Sequence, residues 1–348
     1  MKNKLMIIGG FPGSQNKIGG ETIKNMILAN KLKEMGYDLK IFDTTFDWRK
    51  NKIKTSVKLF WQICMYHPSR ILLSVASTGA IPFLCKVNFL KKILRFKLLY
   101  LVIGGTIGEK VNKNIKIRRL LNYCDKIFVE TLGLKEELNH TGVNNVIYLP
   151  NFKDFSFAPN ITKKVSLPLK IFFFSRVCRE KGIELAVKAV KIINNKRGET
   201  VLVLDMYGPI EKGYKLGFEK LLRSSKNLKY KGIISTFKEE TYNILSGYDL
   251  MIFPTYHFGE GFPGVIVDSF IAGVPVLASD WKYNSEIVSD EKTGRLFKAQ
   301  NLDDLIEKLK WFIEHPEKII EMKFNCIKEA KKYHINYVIL NLLAEIEQ

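Results

Sequence analysis

Short apolar runs recur along this chain, separated by longer stretches with helix-like spacing, and that alternation constrains the fold more than any other feature. Leu5–Ile8, Leu39–Phe42, Arg70–Val75, Leu98–Ile103, Lys126–Val129 and Val146–Leu149 form one series. Runs so short and so continuously apolar suit parallel strands covered by helices on both faces. Between the first two, Glu21–Met35 carries Ile23, Ile27, Leu28 and Leu32 at helical spacing. It stops at Gly36, a residue that accepts the left-handed turn ending a helix. Strand–helix repeats of this kind build doubly wound parallel sheets.

The series breaks after Pro150. Lys153–Leu169 holds Pro159, Asn160 and Pro168 without periodicity and reads as a linker. The alternation then restarts with strand Lys170–Phe174, helix Gly182–Asn194, and strands Val201–Tyr207 and Leu228–Lys231. Helix Phe237–Ser246, strand Leu250–Phe253, helix Pro263–Ala272 and strand Pro275–Ala278 follow, and helices Leu302–Glu314, Glu317–Lys332 and Ile335–Glu347 close the chain. At 348 residues the chain exceeds the roughly 100–200 of one domain. The expected organisation is two Rossmann-like α/β domains facing a cleft, over 1–160 and 161–334, with a last helix at 335–348 returning to the first. Ligands of such sheets bind outside the carboxyl ends of the strands, so the loops after the strands are the place to look for chemistry.

Composition removes several classes. A hydrophobic content of 46% with 12% aromatics excludes disordered and collagen-like chains. Five cysteines, an odd number with no Cys-x-x-Cys and no Cys/His cluster, indicate neither a disulfide framework nor a structural metal. Leu5–Ile8 is too short for a signal-peptide core. The longest uncharged run, Ile71–Cys85, falls short of the roughly 20 residues of a membrane span. These features predict a reduced, cytoplasmic, non-spanning protein. Charge is lopsided: up to Val165 there are 28 Lys and Arg against 11 Asp and Glu, and beyond it 27 against 24. A uniformly Lys-rich surface would not spare the second half, so the first half is expected to meet an anionic partner, nucleic acid or a membrane surface.

Three loops stand out. Gly9-Gly10-Phe11-Pro12-Gly13 through Ile18-Gly19-Gly20 precedes a helix. Its glycines let backbone N–H groups approach an anion, although it is neither Gly-x-Gly-x-x-Gly nor a P-loop. Ser175-Arg176-Val177-Cys178-Arg179-Glu180-Lys181-Gly182 offers a guanidinium fork and an ammonium to a diphosphate. Pro254-Thr255-Tyr256-His257-Phe258-Gly259-Glu260-Gly261-Phe262-Pro263-Gly264 ends in a helix that Pro263 fits at its first position. Glu260 precedes that helix and Asp268 lies about one turn inside it, so two carboxylates suited to sugar hydroxyls flank N–H groups suited to phosphate. Either acid alone is also explained by the positive start of the helix.

Glu260-Gly261-Phe262-Pro263 through Asp268, continuing Ala272-Gly273-Val274-Pro275-Val276, resembles the Glu-x7-Glu signature of retaining glycosyltransferases of family 4, which share the two-Rossmann GT-B fold. Arg176 with Lys181-Gly182 resembles the family's Arg…Lys-Gly pair, Gly19-Gly20 its N-terminal glycine pair, and Leu149-Pro150-Asn151 the segment leading into its linker. The resemblance implies that Arg176 and Lys181 hold the donor diphosphate and Glu260 lies by the hexose. It further implies that the backbone of Gly261, Phe262, Pro263, Gly264 and Val265 holds sugar and phosphate. Asp268 takes the place of the second Glu against the ribose, and Gly20 brings backbone to the phosphates. No metal and no cofactor are implied, only a nucleotide-sugar co-substrate, UDP-sugar first. Two departures stand out: Asp268 is one methylene shorter than Glu, and the family's His-Gly pair is replaced after Ile103 by Gly104-Gly105-Thr106. The replacement leaves either a different donor sugar or backbone contacts around Gly105. His257, three residues before Glu260, is the one histidine near the site.

The expected activity is retaining, metal-independent transfer of a hexose-type sugar to a glycan or lipid-linked acceptor in surface polysaccharide or glycolipid synthesis. Basic segments at Lys91–Lys97 and Lys113–Arg119 would press the first domain on anionic lipid at the inner face of the membrane. The alternatives are a GT-B sugar-nucleotide epimerase, a phosphorylase-like enzyme, and a non-catalytic binder of nucleic acid or anionic surfaces. Nucleic acid is not the expected partner, since no aromatic recognition motif or zinc finger accompanies the charge.

Overall fold

The apolar runs lie in strands; Leu5–Ile8, Arg70–Val75, Leu98–Val102 and Leu250–Phe253 are buried on both faces, whereas Leu39–Phe42 and Leu228–Lys231 keep one face partly open. A computed structural model describes residues 4–12, 19–45, 51–161, 164–235 and 238–347. Gly13 and Ile18 of the first glycine loop, and Phe237 at the start of one expected helix, lie outside the described residues. The chain forms two units, Met1–Asp154 with Ile335–Gln348, and Phe155–His334.

The first unit opens with β1 (Lys4–Gly9), α1 (Gly20–Glu34), β2 (Asp38–Asp43), α2 (Lys52–Tyr66), β3 (Arg70–Ala76) and α3 (Ser77–Leu94). It continues with β4 (Lys97–Ile103), α4 (Ile107–Lys113), α5 (Ile115–Asn122), β5 (Lys126–Val129), α6 (Leu132–His140) and β6 (Val146–Tyr148). The six strands pair in parallel in the order β2-β1-β3-β4-β5-β6. Right-handed crossovers send α1 to one face, and α2 and α3 to the other, because the strand order reverses between β1 and β3.

The second unit repeats the plan with β7 (Leu169–Phe174), α7 (Ile183–Arg197), β8 (Leu202–Tyr207), α8 (Lys215–Leu222), β9 (Leu228–Gly232) and α9 (Glu239–Ser246). β10 (Leu250–Phe253), α10 (Gly264–Ile271), β11 (Val276–Asp280), α11 (Asn284–Ile287), β12 (Gly294–Lys298), α12 (Leu302–Glu314) and α13 (Pro316–Ala330) complete it. Its parallel sheet has the order β12-β11-β10-β7-β8-β9. The last helix, α14 (Ile335–Glu347), returns to the first unit. There Val338, Ile339, Leu342, Leu343 and Ile346 join Leu28 and Leu32 of α1 in one buried cluster.

Several boundaries differ from those read in the sequence. The units meet at Asp154/Phe155, six residues before 160, because Phe155 and Phe157 already pack on the second core. Pro263 is the N-cap, extended at ψ 108, so α10 starts one residue later, at Gly264. The uncharged run Ile71–Cys85 is not one segment; it divides into β3 and the first half of α3. Among the described residues no helix is long and apolar enough to cross a membrane.

Candidate active site

In the second sheet the strand order reverses between β7 and β10, so the loops leaving these neighbours diverge and open a ligand-accepting place at their carboxyl ends. The loop after β7 holds one tight turn, Arg179–Lys181, and reaches α7 through Gly182 at φ +73°. A Cβ on Gly182 would lie 1.9 Å from the Pro254 carbonyl oxygen, so glycine is needed for the two loops to touch. The Tyr256 N–H then donates to the Glu180 carbonyl at 2.9 Å.

This approach brings Lys181 to Glu260, 79 residues away, with Nζ 2.6 Å from Oε2. Thr255 Oγ1 donates to the same carboxylate oxygen at 2.8 Å, and the Lys181 ammonium also lies 5.6 Å from the centre of the Phe253 ring. Thr255 is fully buried, and it accepts the His257 N–H at 3.2 Å. His257 Nδ1 accepts the Gly259 N–H at 3.1 Å, leaving Nε2 3.5 Å from the Glu180 carboxylate. The Trp281 indole N–H ties the His257 carbonyl to the end of β11 at 2.9 Å. Burial, then the Lys181 charge, push the His257 pKa below its ordinary value, with Arg176 adding a smaller push the same way. A neutral imidazole with Nδ1 as acceptor agrees with that direction.

Arg176 is exposed and makes no ion pair among the described residues. Gly261, Phe262 and Pro263 are buried in the turn into α10, with Phe262 edge-on to Tyr333 at 5.3 Å, and Gly264 and Val265 are half-buried. Among the described residues no side chain caps the N-terminus of α10, so the Gly264 and Val265 N–H groups face an open helix start suited to an anion. Lys181, Glu260 and His257 are thus joined by direct contacts, with Arg176 near enough to act on His257.

Asp268 differs. It has no exposed surface, and the Tyr242 hydroxyl of α9 donates to its Oδ1 at 3.1 Å. Its full burial and its bond to Tyr242 are features the motif spacing did not anticipate.

Gly19, Gly20 and Gly105 belong to the first unit. Gly19 is the N-cap of α1, and beside both Gly19 and Gly20 there is open space where a Cβ would sit. Gly105 is buried, next to Gly104 at φ +82°, and the Thr106 hydroxyl pairs with that of Ser77 at 2.6 Å. Sequence reasoning passed over Glu21. Its two carboxyl oxygens accept the Gly10 and Ala76 N–H groups, both at 3.0 Å, joining β1 to β3 where the first sheet reverses. Burial raises its pKa, partly offset by these donors. It passed over Thr255 as well, since one Thr two residues beyond a strand carries no signal. Among the described residues no group of three or more His, Cys, Asp or Glu is placed to hold a metal ion.

The family model described as "Glycosyl transferases group 1" matches residues 154–333, more than half of the chain. A Campylobacter jejuni N,N'-diacetylbacillosaminyl-diphospho-undecaprenol alpha-1,3-N-acetylgalactosaminyltransferase is 23% identical over 224 residues, 63% of this chain and 56% of that protein. A Staphylococcus aureus poly(ribitol-phosphate) alpha-N-acetylglucosaminyltransferase is 25% identical over 175 residues, 49% of this chain and 33% of that protein. The chain thus spans about half and about a third of the length of these relatives. Anabaena HepE, solved in complex with UDP, superposes over 99% of both chains with a TM-score of 0.74 at 14% identity. The chain belongs to the glycosyl transferases group 1 family and has the two-unit GT-B fold.

Proposed function

We propose that this glycosyltransferase moves a hexose-type sugar from a UDP-sugar, with retention of anomeric configuration, to a phosphate-bearing glycan or lipid acceptor. The observation that carries this reading is the Lys181–Glu260–Thr255 cluster at the reversal of the second sheet, beside the exposed Arg176 and the uncapped start of α10. Arg176 and Lys181 stabilise the departing diphosphate. An ammonium has three donors, so the one given to Glu260 leaves two for phosphate. Glu260, held in one orientation by Lys181 and Thr255, meets the sugar as positive charge develops at its anomeric carbon. Backbone N–H groups of Gly261, Phe262, Gly264 and Val265 hold the diphosphate and sugar, and Asp268 addresses the ribose.

Two findings support the donor and acceptor classes. HepE binds UDP in its crystal structure, and the two relatives are named for acceptors carrying diphospho-undecaprenol and poly(ribitol-phosphate). The basic first half suits acceptors of that charge, and residues 91–97 and 113–119 supply cations toward an anionic membrane from the cytoplasmic side.

Thermal-shift titration with UDP, GDP, ADP and CMP tests the donor. UDP at one hundred times its dissociation constant should stabilise the protein by about 2.7 kcal/mol, and Arg176→Ala should shrink the shift. A folded protein that no nucleotide stabilises would remove the reading. With a donor in hand, NMR of the product tests retention.

A further inference from the structure

We propose that the outward face of α2 is the surface by which the first unit docks on an anionic lipid bilayer. This deepens the membrane reading above and rests on it, but it makes α2, rather than residues 91–97 and 113–119, the principal contact.

Helix α2 is amphipathic with its larger apolar side turned out. Only Leu59 and Ile63 are buried, whereas Ile53, Val57, Phe60, Trp61 and Met65 are 82%, 61%, 51%, 60% and 67% exposed. At 100° per residue those five span about 140° of the helix circumference, one continuous stripe three turns long. No other helix among the described residues exposes more than two large apolar side chains. A stripe of this kind is uncommon on a surface that meets only water.

Charge identifies the occupant. Between Asp47 and Glu109 the sequence has no Asp or Glu, while eleven Lys and Arg fall there. Lys54 and Lys58, both exposed, flank Met65 at one side of the apolar stripe, Lys54 just within it and Lys58 just beyond. On the neighbouring α3, Phe89 and Ile93 are exposed one turn apart, beside the exposed Lys92. Lys52 and Lys86 bring the two helices' cations close enough to repel. A soluble partner would need its own acidic and apolar complement to this arrangement. A bilayer bearing anionic headgroups supplies both over any area, with apolar side chains entering the acyl boundary and lysines remaining among phosphates.

The test is co-sedimentation with vesicles of phosphatidylglycerol in phosphatidylcholine, against phosphatidylcholine alone. The full chain should bind the anionic vesicles, more weakly at high salt. Ile53→Ser/Trp61→Ser/Met65→Ser should lower that binding by tenfold or more, and Lys54→Gln/Lys58→Gln by about tenfold. All five positions are exposed, so melting temperature and UDP-induced stabilisation should not change, and these confirm an intact fold. Brominated lipid should quench Trp61 fluorescence, a signal absent from Trp61→Phe although that variant still binds. Undiminished binding of the triple variant would overturn the α2 face while leaving a membrane contact elsewhere. No binding to anionic vesicles would overturn both. Concentration-dependent dimers abolished by the triple variant, without vesicle binding, would show a second copy to be the occupant instead.

Discussion

Each unit holds a buried Lys–Glu pair, and the two differ in what surrounds them. In the second unit Lys181 and Glu260 meet at 2.6 Å, each side chain 10% exposed, beneath the Phe253 ring. In the first, Lys24 of α1 and Glu130 after β5 meet at 2.8 Å, 4% and 6% exposed, with the Lys24 ammonium 5.2 Å from the centre of the Phe152 ring. Geometry within the pairs is nearly the same. Around Lys181–Glu260 stand an exposed arginine, a perturbed histidine and an uncapped helix start, whereas Lys24–Glu130 is more deeply covered by Phe152 and the first core. An ion pair alone therefore says little about chemistry; the charges and donors left open beside it decide.

The largest effect should separate the pairs. Glu260→Gln keeps the shape and the Thr255 contact but removes the negative charge facing the reacting sugar. Transfer should fall by about 10²–10³-fold, the range for losing one preorganised electrostatic partner. The melting temperature should also drop, because the buried Lys181 ammonium keeps a hydrogen-bond acceptor but loses its counter-charge, and a retained UDP-induced shift confirms an intact fold. Near-wild-type turnover of Glu260→Gln in a donor-saturated assay would take Glu260 out of the chemistry.

Next in size is a stability effect in the other unit. Lys24→Met strands the Glu130 carboxylate, and breaking a buried pair from one side costs about 3–5 kcal/mol. Urea unfolding of the first unit should show that loss, and Lys24→Met/Glu130→Leu should recover most of it, because two apolar groups need no partner. The matching Lys181→Met/Glu260→Leu replacement should remain folded and lose transfer. If both double variants keep activity, the contrast between the pairs is lost.

What the sequence disclosed follows the same division. The strands were legible because apolar runs of four to six residues admit few other structures, and Glu260 and Lys181 because strand–loop–helix transitions flank them. Helix α2 escaped because its stripe points outward and leaves only Leu59 and Ile63 to signal a core. Helix α3 was hidden by continuity with β3, both lacking charge through Cys85. The edge strand β12, Gly294–Lys298, has Arg295 and Lys298 on either side of only two apolar residues and resembles a loop. The burial of Asp268 was not legible at all, since Tyr242, which covers it, comes from a helix 26 residues earlier.

Thr255→Val sharpens the account of how Glu260 is held. The substitution keeps volume but removes two hydrogen bonds, the charge-assisted one to Glu260, worth about 1.5–3 kcal/mol, and the one accepted from the His257 N–H. Transfer should fall by roughly tenfold or somewhat more in kcat with UDP affinity retained, and Thr255→Ser should restore most of it. An equal loss in Thr255→Ser and Thr255→Val would assign Thr255 to packing, since its hydroxyl would then have no separate effect.

The smallest effect expected is in pH. Burial and the Lys181 charge hold His257 below its ordinary pKa near 6.5, so the folded protein resists protonating it while the unfolded chain does not. As pH falls through about 6.5 the unfolded state takes up the proton first, and stability declines until the lower folded value is passed. The contribution is therefore intact above neutrality and lost on the acid side. His257→Asn, whose carbonyl can still accept the Gly259 N–H, should lose less stability than the parent between pH 7.5 and pH 5.5. A diphosphate beside Lys181 and Arg176 would lessen the positive field on the imidazole and favour its charged form. UDP affinity should accordingly strengthen as pH falls over that interval in the parent, and do so less in His257→Asn. Parallel pH profiles for the two proteins would mean that His257 only braces its loop through Gly259 and Trp281.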